Sequence, residues 1–86
     1  YTSVTATYSV EPTDYIVDCP SGTFTVTLPT AVDITGRTFT IKNSGVGTIT
    51  VGTTSSQTID GTTTKSLSTQ YQTLTVVSNG ANWICV

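Results

Sequence analysis

Histidine and methionine are absent from the 86 residues, and only 9% of the residues are charged. Without histidine, the chain lacks the commonest general base and metal ligand at neutral pH. A Ser-His-Asp or Cys-His arrangement is therefore impossible within this sequence. We predict that the protein is not an enzyme and that it uses no cofactor.

The few charged residues are scattered, and the formal net charge is −2. Phosphate groups and anionic membrane surfaces both require clustered Lys and Arg, so we expect neither nucleic acid nor membrane as a partner. No apolar run approaches the roughly 18 residues of a spanning helix, so membrane insertion is not expected. The acids are Glu11, Asp14, Asp18, Asp33 and Asp60, and the bases are Arg37, Lys42 and Lys65.

Cysteine is also scarce, with only Cys19 and Cys85 present. Two cysteines are too few for a disulfide-rich secreted scaffold. Both fall within predicted strands, where a free cysteine acts as a small buried hydrophobe. Two alternatives remain open: a pair of reduced core residues, or a disulfide that joins an early strand to the last one.

Threonine, by contrast, makes up about a quarter of the chain, and its β-branched side chain suits a pleated surface. Apolar residues alternate with threonine at a period of two, which is typical of half-buried strands. The clearest example is residues 23–28, where Phe24, Val26 and Leu28 point to one side. Similar patterns predict strands at residues 15–19, 38–41, 48–51, 73–76 and 82–86. A helix is not indicated beyond one turn around residues 30–34.

Turn signals separate these strands at intervals of roughly 8–16 residues, as in small sandwiches and barrels. Pro29 ends one strand, and Asp60-Gly61 and Asn79-Gly80 are hairpin signals because these residues tolerate positive φ. The sequence therefore predicts an all-β fold, a small antiparallel β-sandwich or roll of short strands with tight turns. The irregular spacing of the Thr-apolar-Thr segments argues against a solenoid repeat.

A chain of this length forms one domain. We predict a single β domain over residues 13–86, preceded by an N-terminal strand or linking arm over residues 1–12. The composition of residues 1–10 is that of a strand, but the alternation is imperfect. This segment is interpreted as an edge strand, a link from a preceding fibre segment, or an arm that pairs with a neighbouring subunit.

Aromatic residues are the candidate contact residues. Trp83 is able to stack on a sugar ring, but in a chain with few large side chains a place in the core or at a subunit interface is favoured. The tyrosines are less constrained. We name Tyr71, Trp83 and Tyr8 as candidate ligand or interface contacts, and no residue is predicted to be catalytic or to bind metal.

Three segments, taken in order, resemble a bacteriophage domain. They are residues 14–19 with 25–29, residues 36–43 and residues 74–83. This domain is found repeatedly in tail fibres, head fibres and similar appendages of the virion surface. The resemblance covers about residues 13–86, and residues 57–61 fit it as well. The sequence departs from it at Cys85, where an aromatic or aliphatic residue is usual.

The resemblance implies a β-rich module on the virion surface, commonly a homotrimer, with no cofactor. The expected function is that of a structural appendage protein, either a fibre or a capsid decoration, that assembles as a homo-oligomer. Its expected partners are other copies of itself, other virion proteins and a host surface glycan. Two other functions remain open: an extracellular filament subunit that donates residues 1–10 to a neighbour's sheet, and a carbohydrate-binding module.

Overall fold

A computed structural model describes all the residues, 1–86, and contains β-strands and turns but no helix. The all-β prediction is therefore confirmed. The strands are β1 (Thr2–Ser3), β2 (Tyr8–Ser9), β3 (Ile16–Cys19), β4 (Phe24–Thr27), β5 (Thr38–Asn43), β6 (Ile49–Gly52), β7 (Thr64–Leu67), β8 (Gln72–Ser78) and β9 (Trp83–Cys85).

The strands form two sheets, which we call sheet A (order β1-β3-β5-β8-β9) and sheet B (order β2-β4-β6-β7). The first six strands alternate between the sheets, and each is parallel to its neighbour of the same sheet. The chain thus winds through three successive coils, β1–β2, β3–β4 and β5–β6. The last three strands add to these coils in antiparallel pairs.

The expectation of an antiparallel sandwich or roll is therefore wrong for the first three coils, since both sheets are mixed. The loops at residues 4–7, 20–23 and 44–48 carry the chain from sheet A across to sheet B. They do not return it beside the strand it has just left, as a hairpin would. Period-two alternation is the same in parallel and antiparallel strands, so the sequence pattern alone does not separate the two.

The core lies between the two sheets, where inward residues of successive coils are aligned. Val17 pairs with Ile41, which faces Leu74, and Phe24 pairs with Ile49, which faces Leu67. The buried apolar residues are Val10, Val17, Cys19, Val26, Leu28, Ala31, Phe39, Ile41, Ile49, Val51, Ile59, Leu67, Val76 and Trp83.

Uneven coil lengths conceal this winding in the sequence. Thr2 aligns with Val17, 15 positions later, whereas Ile16 aligns with Thr40, 24 positions later. The coils are stacked in space although their spacing along the chain is irregular.

Two glycines show how closely the coils stack at these loops. A Cβ on Gly45 would lie 2.9 Å from the Pro20 carbonyl oxygen, and one on Gly47 would lie 2.3 Å from that of Gly22. Real Cβ atoms do not approach an oxygen so closely, so only glycine fits at position 47. The 44–48 loop therefore lies directly against the 20–23 loop.

Residues 1–12 form the first coil, with β1 and β2 at the outer edges of the two sheets. The Val4 amide donates a hydrogen bond to the Asp18 carbonyl (2.9 Å), and the Val10 amide donates one to the Thr27 carbonyl (2.8 Å). Of the three interpretations of this segment, the structure therefore agrees with the edge strand.

Both hairpin signals lie at turns. Ile59 and Thr62 exchange backbone hydrogen bonds across Asp60-Gly61, and both turn residues have positive φ. Asn79 and Gly80 lie in the connection between β8 and β9. Residues 30–34 form a turn and no helix.

The cysteines are free thiols on strands β3 and β9. These strands are three positions apart in sheet A, a separation of roughly 14 Å at the usual strand spacing. The Cα atoms of a disulfide lie within about 7 Å of each other. Of the two alternatives, the structure therefore shows the pair of reduced cysteines.

We predict that oxidation of the folded protein forms no internal disulfide. Burial, with a smaller effect from Asp18, raises the pKa of the Cys19 thiol to about 11, so Cys19 reacts with a thiol reagent only on unfolding. Cys85 is half-buried and reacts first. Labelling followed by peptide mass spectrometry measures both, and a Cys19–Cys85 crosslink formed without unfolding would contradict this geometry.

Asn43 joins three parts of the fold. Its side chain is fully buried, and its amide nitrogen donates to the carbonyls of Gly47 (2.8 Å) and Leu67 (2.7 Å). Its carbonyl oxygen accepts from the Gly45 amide (3.1 Å). The side chain thereby ties β5 to the 44–48 loop and to the end of β7.

Replacing Asn43 by alanine leaves these backbone groups without partners in the interior. We expect Asn43→Ala to lower the free energy of unfolding by about 2–4 kcal/mol. Asn79→Ala is the control, because Asn79 is exposed and its side chain caps only its own turn, so a loss below about 1 kcal/mol is expected. Equal losses in urea denaturation would show that Asn43 does not hold the loop.

Candidate functional site

Four of the eight exposed large apolar side chains lie on one surface. We call the outward side of sheet A face A; it includes Tyr1 (80% exposed), Ile16 (45%), Ile84 (40%) and Val86 (75%). The register sets Ile84 beside the outward Val77 of β8. The strands of face A, about 4.8 Å apart and up to about 20 Å long, give it an area on the order of 500 Å².

One end of face A carries its charged groups, Asp18 and Lys42, which are paired in the register of β3 and β5. The Asp18 carboxylate accepts hydrogen bonds from the Ser44 hydroxyl (2.5 Å) and the Tyr1 hydroxyl (2.6 Å). These bonds, chiefly the one from Ser44, lower the pKa of Asp18. The carboxylate thus fixes Tyr1 on face A and leaves the rest of the face uncharged.

The outward side of sheet B, which we call face B, has a different chemistry. Thr25 pairs with Thr50, and Thr50 pairs with Ser66, so hydroxyl groups stand side by side across three strands. These hydroxyls make no hydrogen bond within the chain, whereas on face A Thr40 and Thr75 bond to each other (3.1 Å). The face B hydroxyl residues are Ser9, Thr25, Thr27, Thr48, Thr50, Thr64 and Ser66.

Tyr71, one of the candidate contact residues, is 63% exposed in the loop before β8. Its φ is +68°, a left-handed conformation that costs a residue other than glycine about 1–2 kcal/mol. The Lys42 ammonium lies 5.7 Å from the centre of its ring. A strained, exposed tyrosine beside a cation has the properties of a contact residue, and Tyr71 stays a candidate.

Trp83 is not on the surface. It is fully buried, and its ring lies 5.7 Å from that of Phe39 at a tilt of 60°. Its indole belongs to the core, so Trp83 is withdrawn as a ligand or interface contact. A sugar platform that includes Trp83 does not exist on this surface.

Tyr8 is half-buried, and its hydroxyl donates a hydrogen bond of 2.6 Å to Asp14. This bond raises the pKa of Tyr8 to about 12. The side chain packs against the core and holds β2 in place. Tyr8 therefore has a structural role in the first coil.

Asp14 is a buried acid that lies just before β3. Its carboxylate accepts hydrogen bonds from the hydroxyls of Thr2 (2.6 Å) and Tyr8 (2.6 Å) and from the Glu11 amide (2.9 Å). Burial favours a higher pKa for Asp14, but these hydrogen bonds outweigh it and hold the pKa below its usual value. The ionised carboxylate thereby joins β1 and β2 to the second coil.

Because the folded pKa of Asp14 is depressed, its stabilising effect is complete above the unfolded value of about 3.8 and is lost as the pH falls through the folded pKa. We expect Asp14→Asn to be less stable than the parent at about pH 6, and the difference to shrink towards about pH 2. Glu11→Gln, an exposed neighbour, is the control. Urea denaturation at both pH values measures this, and a difference that does not change with pH would contradict it.

A pocket of about 120 Å³ lies at the other end of the strands from the 44–48 loop. Apolar atoms line it, and the Arg37 guanidinium stacks on the Phe39 ring beside it, 4.4 Å from the ring centre. Arg37 also donates to the carbonyls of Pro12 and Asp14, which fixes its position. The lining residues are Pro12, Pro29, Thr30, Ile34, Arg37 and Phe39.

Neither the remaining side chains nor known proteins point to a further site. No three His, Cys, Asp or Glu side chains are close enough together to hold a metal ion, and no helix is present that could cross a membrane. Comparison with protein-family models, with curated proteins and with solved structures finds no match for this chain.

Proposed function

We propose that this chain is a structural module of a virion appendage, a fibre or a capsid-surface decoration, that assembles as a homo-oligomer through face A. The observation that carries the proposal is the exposure of Tyr1, Ile16, Ile84 and Val86 on one face of one sheet. A sheet face that stays in water is normally polar. Face A instead carries two apolar strips, one at each edge of the sheet, and the outward threonines of β5 and β8 lie between them. The resemblance to phage appendage domains supports the same function.

The size of the chain favours assembly. A domain of this length buries only about 60% of its unfolded surface, and small domains commonly gain stability from oligomerisation. The 86 residues have neither a disulfide nor a metal cluster to supply that stability. In a trimer, the form that the resemblance implies, each copy of face A would contact two neighbours.

Assembly through face A leaves face B on the outside. Its hydroxyls have no partners within the chain, and they are suited to hydrogen bonding with the hydroxyls of a host surface glycan. One such site would bind weakly because the face has no aromatic platform. Several copies held in one oligomer raise the avidity through effective concentration.

The two other functions have less support. Strand donation requires a protruding N-terminal segment, whereas residues 1–10 lie in the first coil of their own domain. A carbohydrate-binding module of the stacking type requires a platform of exposed aromatic rings. Trp83 is buried, and the exposed rings of Tyr15 and Tyr71 lie at opposite ends of sheet A, because they precede strands that run in opposite directions.

The mass of the native particle in solution tests this proposal. We expect a discrete oligomer, a trimer, by light scattering behind a sizing column. Ile84→Lys places a charge in face A and is expected to give monomers, because a buried unpaired charge strongly opposes association. Thr50→Lys places the same charge on face B and is expected to leave the oligomer intact.

A monomeric parent chain at all concentrations would contradict assembly through face A. So would an oligomer that survives Ile84→Lys but is lost with Thr50→Lys, since the interface would then lie on face B. Circular dichroism of both variants confirms that each retains the fold.

A further inference from the structure

Val46 is the most exposed of the large apolar side chains, at 86%. It lies in the 44–48 loop, between Gly45 and Gly47. The buried Asn43 side chain accepts a hydrogen bond from the Gly45 amide and donates one to the Gly47 carbonyl. Single exposed valines are common on protein surfaces and carry no meaning alone. This valine, however, is held in a fixed position by a buried polar side chain and by close backbone packing against the 20–23 loop.

The loops around Val46 contain no charged residue. The loops 4–7, 20–23, 44–48 and 68–71 meet at one end of the strands, which we call the short-loop edge, and contain no Asp, Glu, Lys or Arg. Depletion of charged residues around an apolar centre is a property of the cores of protein interfaces. The charged groups that border this edge, Asp18 and Lys42, are held by hydrogen bonds with the Ser44 hydroxyl and the Tyr71 carbonyl.

The apolar pocket lies at the opposite end of the strands. Its lining residues come from the loops 10–15 and 28–37 and from the start of β5, whereas Val46 follows the end of β5. The six residues of β5 separate the two ends by about 20 Å. One molecule cannot fill its own pocket with Val46, but a second copy displaced along the strand direction can.

The size and chemistry of the pocket favour an aliphatic side chain. Small-molecule sites usually measure about 300–1,000 Å³ and include several polar groups. This pocket measures about 120 Å³ and has an apolar lining between Pro12, Pro29 and Phe39. Among the exposed apolar residues, Tyr1, Tyr15 and Tyr71 carry rings, and Val46 is the aliphatic residue with the largest exposed fraction.

We infer that the Val46 side chain of one copy inserts into the Pro12–Pro29–Phe39 pocket of a second copy. The contact joins two different surfaces of the same chain, so it is heterologous and connects molecules in an open series. It rests on the proposed function in one respect: it links the oligomers that face A forms. Face A alone, on the order of 500 Å², is below the roughly 800 Å² per partner of a standard interface, which leaves room for this second contact.

Crosslinking tests the contact directly. In the double variant Val46→Cys with Thr30→Cys, a thiol stands on the projecting loop and another on the rim of the pocket. Mild oxidation with oxidised glutathione is expected to give a ladder of disulfide-linked multimers. The pair Val46→Cys with Ser66→Cys, whose second thiol lies on face B, is expected to give no ladder beyond that of Val46→Cys alone.

Sedimentation velocity over a range of concentrations gives the second readout. The parent oligomer is expected to grow into larger species with rising concentration, and Val46→Lys to weaken this growth at least about tenfold, because its positive charge would meet the Arg37 guanidinium that lines the pocket. Ser66→Lys adds the same charge on face B and is the matched control. Position 46 is exposed, so the substitution is not expected to affect folding.

The outcomes separate this contact from assembly through face A. A discrete oligomer that never grows, or a ladder of equal extent with Ser66→Cys, would overturn the Val46 contact and leave the face A proposal standing. Growth that depends on Val46 in a chain without a discrete oligomer would support the contact and overturn face A. Growth unaffected by Val46→Lys would also overturn the contact.

Discussion

The register between successive coils is the constraint on which the rest of this structure depends. Val17, Ile41 and their counterparts in sheet B point inward only because each coil starts in phase with the one before it. A slip of one residue would turn every apolar side chain of a strand to solvent. Two buried polar side chains, Asn43 in the third coil and Asp14 at the start of the second, fix this phase near the strand ends.

This winding gives the small domain two outer faces of different composition. The two sheets share one core, so their outward residues are free to differ. Face A has apolar side chains along its two edges and threonines between them, and face B has hydroxyl groups without partners. The face A proposal assigns the first to assembly and the second to the outside of the particle. The short-loop edge and the pocket are then left for contacts between particles.

The sequence predicted the strands well and their connection poorly. Period-two alternation identified the central residues of β3, β4, β5, β6, β8 and β9, but it missed β7, whose four residues contain one apolar side chain, Leu67. Parallel pairing was missed because a loop that crosses between sheets uses the same residues as a hairpin turn. Gly22 and Gly47, which recur in stacked loops, were the available signal. Among the candidate contacts, only the exposure of Tyr71 agrees with such a role, because burial depends on packing that no local pattern encodes.

Hydroxyl-radical footprinting at low and high protein concentration tests the central claim most directly, namely that face A is covered by other copies and face B is free. Oxidation is read by mass spectrometry at each exposed side chain. The account predicts that Tyr1, Ile16 and Ile84 become protected as the protein assembles, while the reactivity of Thr25 and Thr50 does not change. Protection of face B with face A still reactive would contradict it.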